Sequence, residues 1–215
     1  MVWIFGFGLL LSCNKSKPTE TVAAKPAAVS QNQVAVLETT EGPITVELFA
    51  REAPVTVANF LNYAKSGFYT DTIVHRSVKG FVIQAGGYTA AMVEKPTQAP
   101  IRNEANNGLK NIRGTLSMAR TQVVDSATSQ FFISVADNAP LDHVPGNPSQ
   151  FGYAVFGKVI EGMDVVDRIN NADVQCPSRG PGPCDEKSLP EGMRDVPVKT
   201  VSIQRVVIKT IEEGK

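Results

Sequence analysis

This sequence has no excess of charge and very little histidine or cysteine. Its 215 residues include 21 lysines and arginines against 21 aspartates and glutamates, with two histidines and three cysteines. Because it has no surplus or block of basic residues, it lacks the electrostatic footprint that nucleic-acid binding requires. The two histidines, His75 and His143, are isolated from each other and make a poor metal site. We therefore expect no nucleic-acid partner, no bound metal and no cofactor.

Long apolar runs are missing from the body of the chain. Beyond the first eleven residues, no stretch approaches the roughly 20 apolar residues that a transmembrane helix needs. The hydrophobic content of 42% is nevertheless that of a globular protein. We therefore expect one folded domain over residues 34–210, followed by a short tail over residues 211–215. Nothing in the sequence indicates an oligomer, so we expect a monomer.

The N-terminus is the one strongly apolar segment. Residues 1–11 are almost wholly apolar and lead directly to Ser12 and Cys13. The run is too short to span a bilayer but suits a secretory signal. Its end resembles the lipobox of bacterial lipoproteins, in which the cysteine carries acyl chains, although no lysine or arginine precedes the run. We expect a signal sequence over residues 1–12 and a lipid on Cys13 as the only membrane contact of a periplasmic protein, with Asn14 favouring the outer membrane. The alternative is an incidental cysteine after a short apolar N-terminus.

Two segments have the composition of a linker or a loop. Residues 13–33 are rich in Lys, Thr, Ala, Pro and Ser, cannot bury a core and are predicted to form a flexible linker. The second segment lies between Cys176 and Cys184 and is rich in Pro and Gly. Two cysteines around such a loop in an exported protein favour a disulfide. A zinc site is the alternative, but no second Cys or His pair has ligand spacing.

Short β-rich runs dominate the predicted domain. The first two, residues 34–40 and 44–49, are separated by Gly42 and Pro43, which predicts a hairpin. Further runs of strand length lie at residues 72–75, 81–84, 115–119, 130–135, 155–160 and 201–208. About eight short strands with only two helices predict a mostly-β fold, a closed antiparallel β-barrel with two flanking helices. Closure is favoured because it removes the exposed edges of so many strands.

Two helices are predicted between these strands. Pro54 opens the first, in which apolar residues recur at i, i+3, i+4 and i+7 from Val57. Gly67 is placed to end it. A second, shorter helix is predicted over residues 163–169.

The most informative segment runs from Tyr69 to Gly87. Within it, strand alternation predicts that Phe81 and Ile83 share one face, with Val82 and Gln84 on the other. Together with three later segments in the same order, it closely resembles the cyclophilins, most of all their periplasmic bacterial branch. Those segments are Gly114–Thr121, Ser126–Ile133 and Phe151–Val159. The resemblance covers residues 34–208.

The resemblance implies a peptidyl-prolyl cis/trans isomerase that acts on proline-containing polypeptides. Rotating an X-Pro bond breaks amide resonance against a barrier of about 18–20 kcal/mol, and no bond is cleaved. A site that binds the twisted amide better than the planar forms is therefore sufficient. Arg76 is the expected donor to the prolyl nitrogen, because a guanidinium is always charged and offers a planar fork of N–H groups. Since no side chain has to titrate, we expect a rate that is flat through neutral pH.

The resemblance also implies which residues form the site. The apolar residues match positions around the proline ring, with Phe156 behind them; they are Phe81, Val82, Phe132 and Leu141. Gln84 and Gln130 match positions that contact the substrate backbone or hold Arg76. The segment from Ala119 to Thr121 matches an edge that pairs with the peptide. The expected catalytic residues are Arg76, Phe81, Gln84 and Phe132. The expected substrate-binding residues are Val82, Ala119, Arg120, Thr121, Gln130, Leu141, Tyr153 and Phe156.

Three positions depart from the common family pattern. Arg120 stands where many members have Asn, and we expect this change to matter little if only main-chain groups bind substrate there. Tyr153 stands where many members have His. Pro140 occupies a position where relatives carry Trp or Phe beside the pocket, and proline also removes a backbone N–H. In relatives with Trp, that residue matters for binding the drug cyclosporin. We therefore expect weak cyclosporin affinity but retained catalysis.

A hydrolase is one alternative function. It would combine His143 with Asp142 and one of three serines, Ser126, Ser129 or Ser149. Adjacent Asp and His residues cannot orient each other as in a catalytic triad, and the sequence has no Gly-x-Ser-x-Gly motif.

A non-catalytic peptide-binding module on the same fold is the stronger alternative. Pro140 and the loop between Cys176 and Cys184 favour it. Arg76 argues against it, since a module that only binds would not need this donor.

Overall fold

The computed structural model of the chain describes residues 33–179, 182, 184 and 193–210. The predicted signal sequence, the lipid site at Cys13 and the tail over residues 211–215 lie outside the described residues. The same holds for all of the predicted linker except Gln33. In the part of the chain that is described, no helix is long and apolar enough to cross a membrane.

Eight strands close into one antiparallel barrel, which confirms the predicted mostly-β architecture with two helices. The strands are β1 (Gln33–Thr39), β2 (Gly42–Leu48), β3 (Thr72–Val78), β4 (Val82–Thr89), β5 (Thr115–Met118), β6 (Phe131–Ser134), β7 (Val155–Glu161) and β10 (Ser202–Thr210). Their order around the barrel is β1, β10, β3, β4, β6, β5, β7, β2. Closure gives each of these strands two neighbours, so the barrel has no open edge.

The first two strands form the predicted hairpin and begin the core. Thr39 faces Gly42 across the turn, and its hydroxyl donates to the Gly42 carbonyl at 2.6 Å. Alternate residues of both strands point inward, so that Leu37 and Val46 lie among the buried side chains of the core. Burying a side chain of this size contributes roughly 1.5–3 kcal/mol. The alternation therefore fixes the register of the hairpin.

Helix α1 (Pro54–Lys65) packs against the barrel and is followed by Ser66 and Gly67, as predicted. Its Phe60 is fully buried and meets the rings of barrel residues, including Phe156 at 5.4 Å between centroids. The carboxylate of Glu104 accepts the backbone N–H groups of the first turn, with distances of 3.1 and 2.9 Å. An acid in this position satisfies donors that a helix start leaves open. It also ties the long segment after β4 to the helix.

Helix α2 (Met163–Asn171) holds the turn between β3 and β4. The Asn170 side chain is buried, accepts the N–H of Gly80 at 2.9 Å and donates to the carbonyl of Val78 at 2.9 Å. Buried amides of this kind rigidify the backbone that they bridge. Helix α2 therefore holds in place the turn that carries Phe81.

A second, two-stranded sheet was not predicted. Strand β8 (Val174–Gln175) pairs antiparallel with β9 (Val196–Pro197), and β9 packs beside β3. Cys176 and Cys184, which lie between β8 and β9 in the sequence, form a disulfide with each other. The disulfide prediction is therefore confirmed over the zinc alternative. The small sheet brings the disulfide loop against the strand that carries Arg76.

Candidate active site

The site begins at an irregularity in strand β3. The pairing of β3 with β4 shifts between Val74 and Arg76, so that Arg76 pairs with Gln84. A bulge of this kind re-aims the side chains next to it. Nη1 of Arg76 donates to Oε1 of Gln84 at 3.5 Å, and 39% of the Arg76 side chain remains exposed. The guanidinium is therefore tethered to the sheet and still open to a ligand.

A row of side-chain hydrogen bonds continues from Gln84. Nε2 of Gln84 donates to Oε1 of Gln130 at 3.0 Å, and Nε2 of Gln130 donates to Oε1 of Glu94 at 3.3 Å. An ionised carboxylate only accepts hydrogen bonds, so Glu94 requires the NH₂ group of Gln130. Each amide is then oriented by the next, and the oxygen of Gln84 must face Arg76. Glu94 was not predicted as a site residue, because no local pattern marks it.

Gly87 makes room for this row. A Cβ atom at this position would lie 2.5 Å from Cγ of Gln130, far inside the contact distance of real side chains. The backbone of β4 can therefore pass directly beneath the Gln130 amide only without a side chain.

A cavity of about 280 Å³ lies beside Arg76. Its walls include Val82 and Phe132, both nearly fully buried. The ring of Phe132 meets the ring of Tyr153 edge to face, with centroids 5.5 Å apart. The complete lining is Arg76, Phe81, Val82, Gln84, Ala119, Arg120, Phe132, Leu141 and Tyr153. A cavity with apolar and aromatic side chains in its wall and a guanidinium at its edge can hold a small apolar ring and donate a hydrogen bond to a group attached to it.

Three of the predicted site residues do not line this cavity. Gln130 belongs to the hydrogen-bonded row instead. Thr121 is exposed, and its N–H donates to Ser126 Oγ at 2.9 Å while its carbonyl accepts from Arg120 at 2.9 Å. Phe156, expected behind the pocket among the substrate-binding residues, is fully buried in the core of the barrel. A ligand in the cavity would therefore not touch the Phe156 ring.

The prediction that Phe81 shares a face with Ile83 is wrong. Strand β4 begins at Val82, and the N–H of Phe81 closes the preceding turn on Val78 at 3.0 Å. Strand alternation therefore does not apply to Phe81. Its ring lines the cavity with Val82 and Gln84, whereas Ile83 lies in the core.

A second cavity of about 390 Å³ also borders Arg76. It is lined by His75, Arg76, Gln84, Tyr88, Gln130, Ser178, Met193, Arg194 and Asp195. Burial lowers the pKa of His75 to about 4, so the imidazole is neutral at neutral pH. Oδ2 of Asp195 lies 3.9 Å from Nε of Arg76. The two cavities meet at Arg76 and Gln84.

The hydrolase arrangement is not formed. Nδ1 of His143 lies 2.8 Å from the carbonyl of Phe151. The Asp142 carboxylate accepts from the Asn111 backbone at 2.7 Å and pairs with Lys110 at 3.6 Å. Among the described residues, no three His, Cys, Asp or Glu side chains converge as a metal site requires.

Comparison with known families agrees with this geometry. The family model described as "Cyclophilin type peptidyl-prolyl cis-trans isomerase/CLD" matches residues 34–207, from β1 to β10. The chain belongs to the cyclophilin family.

Individual cyclophilins match over most of their length. "Peptidyl-prolyl cis-trans isomerase A" of Dickeya dadantii is 48% identical over 187 residues, which cover 86% of this chain and 90% of that protein. "Peptidyl-prolyl cis-trans isomerase B" of Escherichia coli is 54% identical over 131 residues, covering 61% and 80%. A solved structure of a cyclophilin type peptidyl-prolyl cis-trans isomerase from Cryptosporidium parvum gives a TM-score of 0.62 at 28% identity, covering 84% of this chain and 99% of that one.

Pro140, where the sequence predicted a departure from the cyclophilin pattern, directly precedes Leu141, which lines the cavity. It is exposed and lies in a short 3₁₀ helix, Ala139–Leu141. The N–H of Leu141 bonds to the carbonyl of Asn138 at 2.9 Å, and that of Asp142 bonds to Ala139 at 3.1 Å. Proline in the first turn of a helix removes a donor that has no partner within the helix. Pro140 therefore costs this helix no hydrogen bond.

Proposed function

We propose that the chain accelerates cis/trans rotation of X-Pro bonds in exported proteins that are unfolded or flexible. It does so by binding the twisted amide more tightly than either planar form, without a covalent intermediate. Membership of the cyclophilin family supports the reaction class. The observation that carries the proposal is the Arg76 guanidinium, held by Gln84 at the edge of an aromatic cavity.

In the proposed mechanism the proline ring occupies the cavity of about 280 Å³. Phe81, Phe132 and Leu141 contact the ring and keep it from turning with the rest of the peptide. As the amide twists, the prolyl nitrogen pyramidalises and regains a lone pair. Arg76 donates a hydrogen bond to that lone pair, which neither planar form offers. The donor therefore stabilises the transition state selectively.

The rate of cis-to-trans conversion of a short X-Pro peptide tests the function. The protein is the full chain carrying Cys13→Ser, compared with its Arg76→Ala and Arg76→Lys variants. We expect kcat/KM to fall at least tenfold in Arg76→Ala, which corresponds to about 1.4 kcal/mol. Lysine should restore little, because it lacks the planar fork. No acceleration by the folded wild type would overturn the proposal.

A peptide-binding module without turnover is the second candidate. The exposed Pro140, which supplies no aromatic ring next to Leu141 of the cavity wall, favours it. In that case the wild type would bind X-Pro peptides, Arg76→Ala would bind them about equally, and neither would accelerate rotation. Calorimetric binding measured beside the rate separates the two candidates.

We also propose that the chain is a periplasmic lipoprotein held at a membrane by Cys13, with the outer membrane favoured. The apolar run before Cys13 supports this, and so does the polar segment that follows. Mass spectrometry of the membrane-extracted protein should find acylated Cys13 as the first residue. The Cys13→Ser variant should leave the membrane fraction. An unmodified N-terminus at Met1 would contradict the proposal.

A further inference from the structure

A buried carboxylate that lines the second cavity lies close to the arginine of the site. Asp195 is only 3% exposed, and its Oδ2 lies 3.9 Å from Nε of Arg76. Its other oxygen, Oδ1, accepts the backbone N–H of Ser178 at 2.6 Å. Burying a carboxylate is costly unless it is hydrogen-bonded and paired with a cation. The position of Asp195 therefore depends on both partners.

The backbone of Asp195 is fixed as firmly as its side chain. Its carbonyl accepts the N–H of Ser77 at 2.7 Å, and its N–H donates to the carbonyl of Cys176 at 3.2 Å. The residue has a left-handed backbone with φ of 59°, a conformation in which Asp is enriched among residues other than Gly. Asp195 is thus bonded to β3 on one side and to the disulfide loop on the other.

The disulfide loop touches the site at a second point. Cζ of Arg179, which lies between Cys176 and Cys184 in the chain, is 5.1 Å from the centroid of the Phe81 ring. The same loop provides the N–H of Ser178 for Asp195. The loop therefore contacts the partner of Arg76 and one aromatic wall of the cavity.

We propose that Asp195 is a positioning residue for Arg76. Gln84 accepts a hydrogen bond from Nη1, and Asp195 attracts Nε, so two atoms of one planar group are held at once. A guanidinium fixed at two points keeps the orientation of its plane, and its remaining N–H groups are directed without reorganisation. The disulfide loop maintains this arrangement by holding Asp195. The inference rests on the proposed isomerase function.

The test compares Asp195→Asn with a matched control in the full chain carrying Cys13→Ser. Asparagine keeps the oxygen that accepts from Ser178 and removes only the charge. The control is Asp167→Asn, which breaks a bidentate pair with Arg113 at 2.9 and 2.7 Å and lines neither cavity. We expect kcat to fall three- to tenfold in Asp195→Asn with KM changed less than twofold, and no change in kcat in the control.

A double-variant cycle separates positioning from a general structural effect. Added to Arg76→Ala, Asp195→Asn should change kcat less than 1.5-fold, because the group that it positions is absent. An equal fall in both backgrounds would overturn the inference, as would unchanged kcat in Asp195→Asn alone. If the wild type shows no acceleration, the proposed function fails. If the wild type is active and Asp195→Asn has the same kcat as the wild type, this inference fails while the proposed function stands.

Nuclear magnetic resonance of the unmodified side chains keeps the inference testable if Asp195→Asn does not fold. Held at two points, the guanidinium of wild-type Arg76 should rotate slowly about its Nε–Cζ bond and give separate Nη1 and Nη2 resonances. Arg51, which is exposed just before α1 and has no side-chain hydrogen bond or ion pair among the described residues, is the internal reference for an unconstrained arginine. A single averaged Nη resonance for Arg76 would overturn the inference.

Discussion

The guanidinium of Arg120 lies over the ring of Tyr153, with its Cζ atom 4.8 Å from the ring centroid. Nε of Arg120 also donates to the carbonyl of Gly152 at 3.0 Å. The side chain therefore ties the segment after β5 to the loop that carries Tyr153. From the sequence, a change at this position was expected to matter little, on the assumption that only main-chain groups bind substrate there. The structure assigns the side chain a part in shaping the cavity.

Replacing Arg120 by alanine should weaken substrate binding. A partly exposed cation–π contact is worth about 0.5–1 kcal/mol, so we expect KM for an X-Pro peptide to rise two- to fivefold. The value of kcat should stay within twofold, because Arg76 is untouched. The surface variant Arg168→Ala serves as the control and should leave both constants unchanged. A fall in kcat at constant KM would show that Arg120 acts on the transition state instead.

Removing the side-chain amide of Gln130, which links Gln84 to Glu94, should weaken the hydrogen bond that holds Arg76 in place. In Gln130→Leu, Gln84 loses the partner that orients its oxygen toward the guanidinium. A hydrogen bond of this kind contributes about 0.5–1.5 kcal/mol, so kcat/KM should fall roughly three- to tenfold. Gln150→Leu, at an exposed position in a second short 3₁₀ helix (Pro148–Gln150), is the matched control and should have wild-type activity. Full activity in Gln130→Leu would show that the row of amides has no role in orienting Arg76.

Much of the barrel could be predicted because local patterns determine it. Short β-rich runs marked the barrel strands, Gly42 and Pro43 marked the first hairpin, and a helical period with Pro54 at its start marked α1. The resemblance to cyclophilins over residues 34–208 also named every residue that lines the cavity of about 280 Å³. Strand length was less accurate, since β4 extends to Thr89 although the apolar run ends at Gln84.

The remaining parts of the site depend on contacts between distant segments. Glu94 and Asp195 reach it from loops that have no hydrophobic period, so no local pattern marks them. Phe81 was assigned to the wrong face because a turn, not a strand, sets its direction. For Thr121, both backbone groups that could pair with a peptide already have partners within the chain, which its neighbours in sequence do not reveal.

Restoring an aromatic residue at Pro140 should restore cyclosporin binding. Pro140 is exposed next to Leu141, which lines the cavity, and it lies in the first turn of a short helix, where a backbone N–H has no helical partner. Pro140→Trp should therefore be tolerated and raise cyclosporin affinity at least tenfold, measured by calorimetry or by inhibition. Pro148→Trp, at the start of the other 3₁₀ helix and outside both cavities, is the control. Equal affinity in Pro140→Trp and wild type would mean that the missing ring does not limit binding.

The rate of isomerisation should be independent of pH near neutrality. Arginine stays charged at every accessible pH, and His75, the neighbour of Arg76 in β3, has a pKa of about 4 because it is buried. We expect kcat/KM to change less than twofold between pH 6 and pH 8. A bell-shaped profile in this range would indicate acid–base chemistry and contradict the proposed mechanism.

Stability, unlike activity, should respond to His75. Burial lowers the pKa of His75 from 6.5 to about 4 in the folded protein, so the unfolded chain takes up the proton first as the pH falls. This contribution is fully present above pH 6.5 and is lost between pH 6.5 and pH 4. For a shift of this size the free energy of unfolding should fall by about 2 kcal/mol from pH 7 to pH 5 through this residue alone. Because carboxylates also titrate in acid, the measurement is the difference between wild type and His75→Gln in denaturant unfolding at both pH values. Parallel losses in the two proteins would show that His75 is not buried as a neutral imidazole.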